Sequence, residues 1–247
     1  MNMNKYAIVT GVSSGIGECV ANCFEEEGVH VFGIDKNVPK NNNIEYFRCD
    51  IRNEKKIINI INNIKEKTDH IDYLINSAGI FCYNERDLIE NISKKEWQNV
   101  IDVNLTGTFL ITKYSIPLLK KSSNGNIVNL SSEQVVLPQI KSAPYAITKA
   151  GIEMFSKILA IELMKYKIRV NTIELASVKT NFLKNYKKDD VIISKMMEKT
   201  DKNMPFGIIK PYDVYKLIKY LTEEDNKITG QTILMDSGVV LDINRKK

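Results

Sequence analysis

Thr10-Gly-Val-Ser-Ser-Gly-Ile-Gly17 decides how the rest of the chain is read. Directly before it stands the β-type run Tyr6-Ala-Ile-Val-Thr10. Directly after it the sequence takes on helical periodicity over 15–27, followed by a second apolar run, Val29-His-Val-Phe-Gly-Ile34. A glycine-rich turn between a strand and a helix N-terminus lets backbone amides close on a pyrophosphate at the positive end of the helix. The flanking elements make the turn informative, since an isolated one could equally be an ordinary strand-to-helix loop.

Outward from this βαβ opening the alternation continues. Strand signals at 45–49, 71–76, 126–130, 168–174 and 232–235 are separated by helical patterns at 54–67, 94–120, 146–166, 191–199 and 212–221. Parallel strands need crossover connections, and these are right-handed. The expectation is therefore an α/β protein: a Rossmann-like doubly wound parallel sheet of about seven strands with helices on both faces. No Pro/Gly/Ser-rich linker interrupts residues 1–247 and no internal repeat is visible, so a single domain is expected. The polar stretch 181–204 reads as a flexible flap over a substrate.

Composition narrows the function classes. The hydrophobic fraction is 43% and the charged fraction 26%, with net charge +5 from scattered lysines. No basic block stands out as a nucleic-acid surface, because the densest, at 184–188, runs straight into Asp189 and Asp190. No stretch is long and apolar enough to span a membrane, and the N-terminus carries no signal-like segment, so a cytoplasmic protein is expected. Cys19, Cys23, Cys49 and Cys82 form no CxxC pair, and His30 and His70 have no metal-ligand spacing. Neither a disulfide framework nor a metal site is expected.

Asp35 follows the second strand, 18 residues beyond Gly17. That is close to the separation at which a carboxylate meets the adenosine ribose diol and repels a 2′-phosphate, favouring NAD(H) over NADP(H). Lys36 is a charge of the opposite tendency. Tyr145-Ala-Ile-Thr-Lys149 puts a phenol and an ammonium one helical turn apart on one face, where the ammonium can draw the phenol toward an operating pKa. Ser132, 13 residues upstream at the end of an apolar strand, can donate to a substrate oxygen as charge develops on it. Ser131 is the adjacent alternative, disfavoured by spacing and alternation. Asn104 lies within a helical pattern that asparagine does not favour.

With these positions in view, the chain resembles the classical short-chain dehydrogenase/reductase family. Thr10 to Gly17 has that family's TGxxxGxG spacing, and Ser132, Tyr145 and Lys149 follow in its order and separation. The resemblance implies that Thr10, Gly11, Ser13, Ser14, Gly15, Ile16, Gly17 and Asp35 belong to the cofactor site, and Ser14 is not the basic residue often found in NADP-preferring relatives. It implies that Asp50 reaches the adenine edge and Ile51 packs on the ring, although a helix-capping role for Asp50 remains open beside Asn53 and Glu54. Asn76-Ser-Ala-Gly79 is similar to the family's NNAG motif, with Ser77 at its second Asn, which brings Asn76, Ala78 and Gly79 to the cofactor. Asn104 would hold a water that links Lys149 to solvent. Tyr145 and Lys149 would serve both proton transfer and the nicotinamide ribose, with Val178 and Thr180 at the carboxamide.

The sequence departs from the family after 169–173. Leu175 and Ala176 stand where Pro-Gly is usual, without the fixed φ of one or the freedom of the other. Glu133, Gln134, Gln139 and Ser142, between the serine and the tyrosine, are expected at the substrate pocket. The resemblance implies an NAD(H)-dependent oxidoreductase acting on the carbonyl or secondary alcohol of a small polar metabolite of sugar, polyol or dihydrodiol type. The alternatives are a 3-oxoacyl-carrier-protein reductase and a non-catalytic NAD(H) sensor. Relatives of this kind assemble as homotetramers or homodimers.

Overall fold

The computed structural model describes residues 4–40, 43–81, 87–180, 182, 195 and 198–241. Seven strands form one parallel sheet: β1 (Lys5–Thr10), β2 (Val29–Asp35), β3 (Glu45–Arg48), β4 (Tyr73–Asn76), β5 (Asn126–Ser132), β6 (Arg169–Leu175) and β7 (Thr232–Met235). Their order is β3-β2-β1-β4-β5-β6-β7. Direction of winding reverses between β1 and β4, and such a reversal opens a crevice beyond the carboxyl ends of the strands. The crossovers carry α1 (Gly15–Glu26), α2 (Glu54–Lys67), α3 (Lys94–Ile101), α4 (Gly107–Leu119), α5 (Ala143–Leu163) and α6 (Pro211–Thr222).

Strand alternation sorts the apolar residues into two layers. Val9, Val31 and Ile75 pack with Val20 and Phe24 of α1 and Ile218 of α6. Ile8, Phe32 and Leu74 face the other way, against Ile57, Ile60, Ile61 and Ile64 of α2 and Leu110 and Ile111 of α4. The α2 spacing is an apolar stripe of helical period, so the pattern that forms the helix also seats it. Cys23 packs beside the first layer and Cys49 lies within the second; Cys82 lies outside the described residues.

Two boundaries differ from the sequence expectation for physical reasons. The pattern over 94–120 is not one α-helix, because Asp102–Thr106 forms a π-helical turn between α3 and α4. There Asn104 turns its side chain inward, accepting from Ile80 N at 2.8 Å and donating to Ile80 O at 2.8 Å and to Thr148 Oγ1 at 3.1 Å. A widened turn of this kind accommodates such a side chain. α5 begins at Ala143 instead of 146, with Pro144 in its first turn, where the missing N–H has no helical partner to lose. Of the stretch expected as a flap, residues 181, 183–194 and 196–197 lie outside the described residues, as does most of the helical pattern at 191–199; residues 198–202 are helical. Among the described residues no helix is long and apolar enough to cross a membrane.

Candidate active site

A cleft of about 890 Å³ runs along the carboxyl ends of the strands. Its volume is toward the upper end of what small-molecule sites occupy, about 300–1,000 Å³. One end is lined by Gly11, Ser13, Ser14, Gly15, Ile16, Asp35, Asp50 and Ile51, the middle by Ala78, Gly79, Val178 and Thr180, and the other end by Ser132, Glu133, Gln134, Gln139, Tyr145 and Lys149.

The glycine loop is shaped by two close constraints. Gly11 has φ 79°, a conformation that side chains resist. At Gly17 a Cβ would lie 2.4 Å from the carbonyl oxygen of Gly11, so α1 can approach the loop only without one. The resulting cradle leaves backbone at the start of α1 open to the cleft and fits the pyrophosphate of a dinucleotide. Asp35 is fixed beside it: its carboxylate accepts from Ser13 N at 3.0 Å, from Ser13 Oγ at 2.8 Å and from Asn37 N at 2.9 Å.

Asp50 lines the cleft, and its carboxylate is gripped by Arg52, with Nε at 3.0 Å and Nη2 at 2.6 Å, while Nη1 donates to Asn99 Oδ1 at 2.6 Å. These hydrogen bonds hold the Asp50 carboxyl below the usual carboxylate range. The capping role goes to Asn53, which accepts from Lys56 N. Arg52 was missed by sequence reasoning, although its position two residues after an aspartate was the available signal.

Five expected residues stand behind the lining and shape it. Thr10 Oγ1 accepts from the amides of Ser77 and Ala78, both at 3.1 Å. Gly17 packs on the loop. Asn76 donates to Asn129 Oδ1 at 2.7 Å and to Thr112 Oγ1 at 3.1 Å. Asn104 clamps Ile80, and Ser142 donates to Gln139 O at 2.6 Å.

At the far end, β5 and the first turns of α5 bring Ser132, Tyr145 and Lys149 together. Ser132 and the Tyr145 hydroxyl share a hydrogen bond. The neighbouring Ser131 faces away, donating to Glu153 Oε1 at 2.7 Å, so strand alternation separates the two serines. Lys149 Nζ donates to Leu130 O at 2.8 Å and lies 5.5 Å from the centre of the Tyr145 ring. Burial dominates both groups: it pushes the tyrosine up to about 12, against the Ser132 hydrogen bond and with help from Glu133, and brings Lys149 down to about 8. The expected lowering of the phenol by the ammonium does not appear among these influences. Phe81 and Phe182 flank the Tyr145 ring with centroids 4.7 and 6.4 Å away, an aromatic wall unforeseen in the sequence.

The Leu175-Ala176 departure leaves no backbone strain. Neither residue has positive φ, Leu175 pairs with Ser132 and Met235, and Ala176 N donates to Met235 O at 3.1 Å. β6 extends through the position where a proline would lack a donor.

A crevice at the winding reversal, with a glycine-shaped cradle at one end and a Ser–Tyr–Lys cluster at the other, defines an oxidoreductase of the dinucleotide-binding fold. The chain belongs to the short chain dehydrogenase family, whose sequence profile matches residues 5–191. It is 28% identical to the 2,3-dihydro-2,3-dihydroxybenzoate dehydrogenase of Bacillus subtilis, over 97% of each chain. It is 31% identical to glucose 1-dehydrogenase 2 of the same organism, covering 96% of this chain and 95% of that one. The ligand-free aldohexose dehydrogenase of Thermoplasma acidophilum superimposes with a TM-score of 0.90 at 28% identity, covering 99% of this chain and 97% of that one. Similar structures include a 3-ketoacyl-(acyl-carrier-protein) reductase from Brucella melitensis complexed with NADH (TM-score 0.84, 26% identity, coverage 96% and 98%) and ElxO with NADP bound (0.86, 28%, coverage 97% and 100%). The enzyme therefore acts on alcohol or carbonyl groups with a nicotinamide cofactor.

Because burial holds Lys149 below its ordinary value of 10.5, the folded state is penalised in full below about pH 8, where the ammonium is buried, and progressively less toward 10.5. Lys149→Met removes that penalty. Its melting temperature relative to the unsubstituted protein should fall as pH rises from 8 to 10.5; a difference constant across that interval would contradict the assignment.

Proposed function

We propose that the protein is an NAD(H)-dependent dehydrogenase of a small, uncharged polyhydroxylated substrate of the sugar or polyol kind. The reading rests on one juxtaposition: Ser132, Tyr145 and Lys149 meet at the end of a cleft whose next lining residues are Glu133 and Gln134. Gln134 is buried, and its Oε1 has no hydrogen-bond partner among the described residues. A buried acceptor of this kind is costly to leave unmade and matches a substrate hydroxyl. Phe81 and Phe182 add apolar lining to the same cleft beside Tyr145, the mixture typical of small-molecule sites.

In this reading the glycine loop, Asp35, Ile51, Gly79, Val178 and Thr180 hold the cofactor, which supplies or takes the hydride. Tyr145 gives its proton to the substrate oxygen in reduction and recovers it in oxidation. Ser132 hydrogen-bonds that oxygen as negative charge grows on it. Lys149 keeps a positive charge beside the phenol at neutral pH and holds the nicotinamide ribose. A single domain carries both halves of the site. The fixed Asp35 carboxylate favours NAD(H), since a 2′-phosphate there would meet a negative charge and Arg52 is already engaged by Asp50.

The carrier-protein reductase alternative has less support. Glu133 lines the cleft, a sign opposite to that which an acidic carrier needs. Free, buried or half-buried cysteines accord with the reducing cytoplasm. The outward stripe Ile147, Met154, Ile158 and Ile161 on α5, beside Phe109 on α4, is an exposed apolar face that a second copy of the chain would cover, as in a homodimer or homotetramer.

Three measurements test these statements. Against a panel of aldoses, polyols, dihydrodiols and 3-oxoacyl thioesters, activity should fall on the uncharged polyols or sugars, and Tyr145→Phe should lose about 10²–10⁴-fold in turnover with NADH affinity kept. Wild-type turnover in that variant would remove the proton path, and tight NADH binding without any turnover would favour the sensor. Asp35→Ala should shift the NADP/NAD ratio of kcat/KM upward by about five- to tenfold; an unchanged ratio excludes Asp35 as selector. Sedimentation velocity should report a dimer or tetramer, and a monomer at micromolar concentration would leave the α4–α5 face without its partner.

A further inference from the structure

At the end of the cleft marked by Asp35, three polar residues meet that take no part in the proton path: Asp50 and Arg52 from the loop after β3, and Asn99 from α3. All three line the cleft, together with the apolar side chains of Ile34, Ile51 and Val103. Ile51 is seated by Gly107 on α4, where a Cβ would come within 2.6 Å of the Ile51 Cδ1. Apolar surface carrying a few fixed polar groups suits a flat, partly polar ring such as a nucleotide base.

Arg52 decides what those polar groups offer. Asp50 Oδ1 accepts from Arg52 N and Nε, both at 3.0 Å, while Oδ2 accepts from Nη2 at 2.6 Å, with the shared Nε at 3.2 Å. An ionised carboxylate has roughly four lone-pair sites and no donor. With Oδ1 engaged twice by Arg52, the acceptor capacity left for a ligand is on Oδ2. The remaining guanidinium nitrogen, Nη1, donates to Asn99 Oδ1 at 2.6 Å. A guanidinium only donates, so this bond fixes which end of the Asn99 amide is the oxygen and leaves Nδ2 as a donor for other partners. One guanidinium thus holds an acceptor and a donor on its two adjacent terminal nitrogens. The Arg52 hydrogen bonds also keep the Asp50 carboxyl below its usual range, and so ionised at neutral pH.

We infer that Arg52 is a positioning residue for the cofactor's base: it presents Asp50 Oδ2 and Asn99 Nδ2 as an acceptor and donor pair that fits adenine and mismatches hypoxanthine. Adenine's 6-amino group donates beside a ring nitrogen that accepts. In hypoxanthine the 6-oxo oxygen accepts and N1 carries a hydrogen, so both roles are reversed on that edge. NADH and NADPH carry the same base, so the inference goes beyond the reading of substrate and of cofactor preference and does not rest on either.

Fluorescence titration with NADH and with reduced nicotinamide hypoxanthine dinucleotide tests it without a substrate. Where NADPH binds more tightly than NADH, it and its hypoxanthine counterpart serve the same comparison. The unsubstituted protein should prefer the adenine form about tenfold or more, the scale of one hydrogen bond to a charged group. Asn99→Asp is nearly isosteric and keeps an acceptor for Nη1 but loses the donor, so the two affinities should approach parity. Arg52→Ala releases both groups and should have the same effect. Arg52→Lys keeps the charge without the planar fork and should not restore the preference. The two ligands differ only at the base, so a general loosening of the fold weakens both and leaves their ratio unchanged. Equal binding by the unsubstituted protein overturns the inference, as does an undiminished preference in Asn99→Asp or Arg52→Ala, or full recovery in Arg52→Lys. Failure of every sugar and polyol in the panel, with the base preference intact, would remove the proposed substrate and leave the role of Arg52 standing.

Discussion

The two hydrogen bonds that Thr10 Oγ1 accepts from the amides of Ser77 and Ala78 join the loops that leave β1 and β4. These strands are neighbours in the sheet, but their crossovers go to opposite sides, and the crevice between the departing loops is what the cleft occupies. A parallel sheet leaves the amides just beyond its carboxyl edge without ladder partners, and burial makes them costly unless something else accepts from them. A threonine hydroxyl at the end of β1 does so while leaving the cleft face clear. The glycine cradle, Asp35 at the end of β2 and Ser132 at the end of β5 all take their position from the same edge.

At the far end the dominant physical effect is desolvation. A phenol pushed up to about 12 keeps its proton, and a lysine brought down to about 8 still carries its charge at neutral pH. The pair at rest is a neutral tyrosine beside an ammonium ion that donates to the Leu130 carbonyl. Exclusion of water keeps the phenol protonated, with the Ser132 hydrogen bond working in the opposite direction, and weakens the hold of Lys149 on its proton without removing its charge at neutral pH. Asn104 and Thr148 stiffen this arrangement from behind, since Thr148 Oγ1 both donates to Tyr145 O and accepts from Asn104.

Sequence legibility followed the range of the interaction. The strands could be read because each is a short apolar run bounded by helical periodicity, and the glycine loop because steric exclusion at Gly11 and Gly17 is local. The preference for Ser132 over Ser131 rested on alternation, and the two hydroxyls do face opposite ways. The π-helical turn was hidden, since the partner that stabilises it, Ile80, is 24 residues away in the chain. Asp50 was legible as a lining residue, but Arg52 and Asn99, which fix its carboxylate, were not. α5 starts at Ala143, three residues ahead of the expected 146, because Pro144 serves in its first turn, where it costs no hydrogen bond.

Leu175 and Ala176, which read as a defect at the nicotinamide end, belong to a larger local change. Proline at 175 would remove a backbone donor and glycine at 176 would free the chain, so together they would end β6 early. With leucine and alanine the strand continues, pairing with β5 at Ser132 and with β7 at Met235. The residue just before them then becomes an interior strand position flanked by ladders on both sides, and that residue is Glu174. A carboxyl group on a strand end could turn to water; on a continued central strand, 3% exposed, it has to find its partners within the protein. The lengthened strand and the buried acid are thus one structural feature, lying one layer behind the hydroxyl of Ser132.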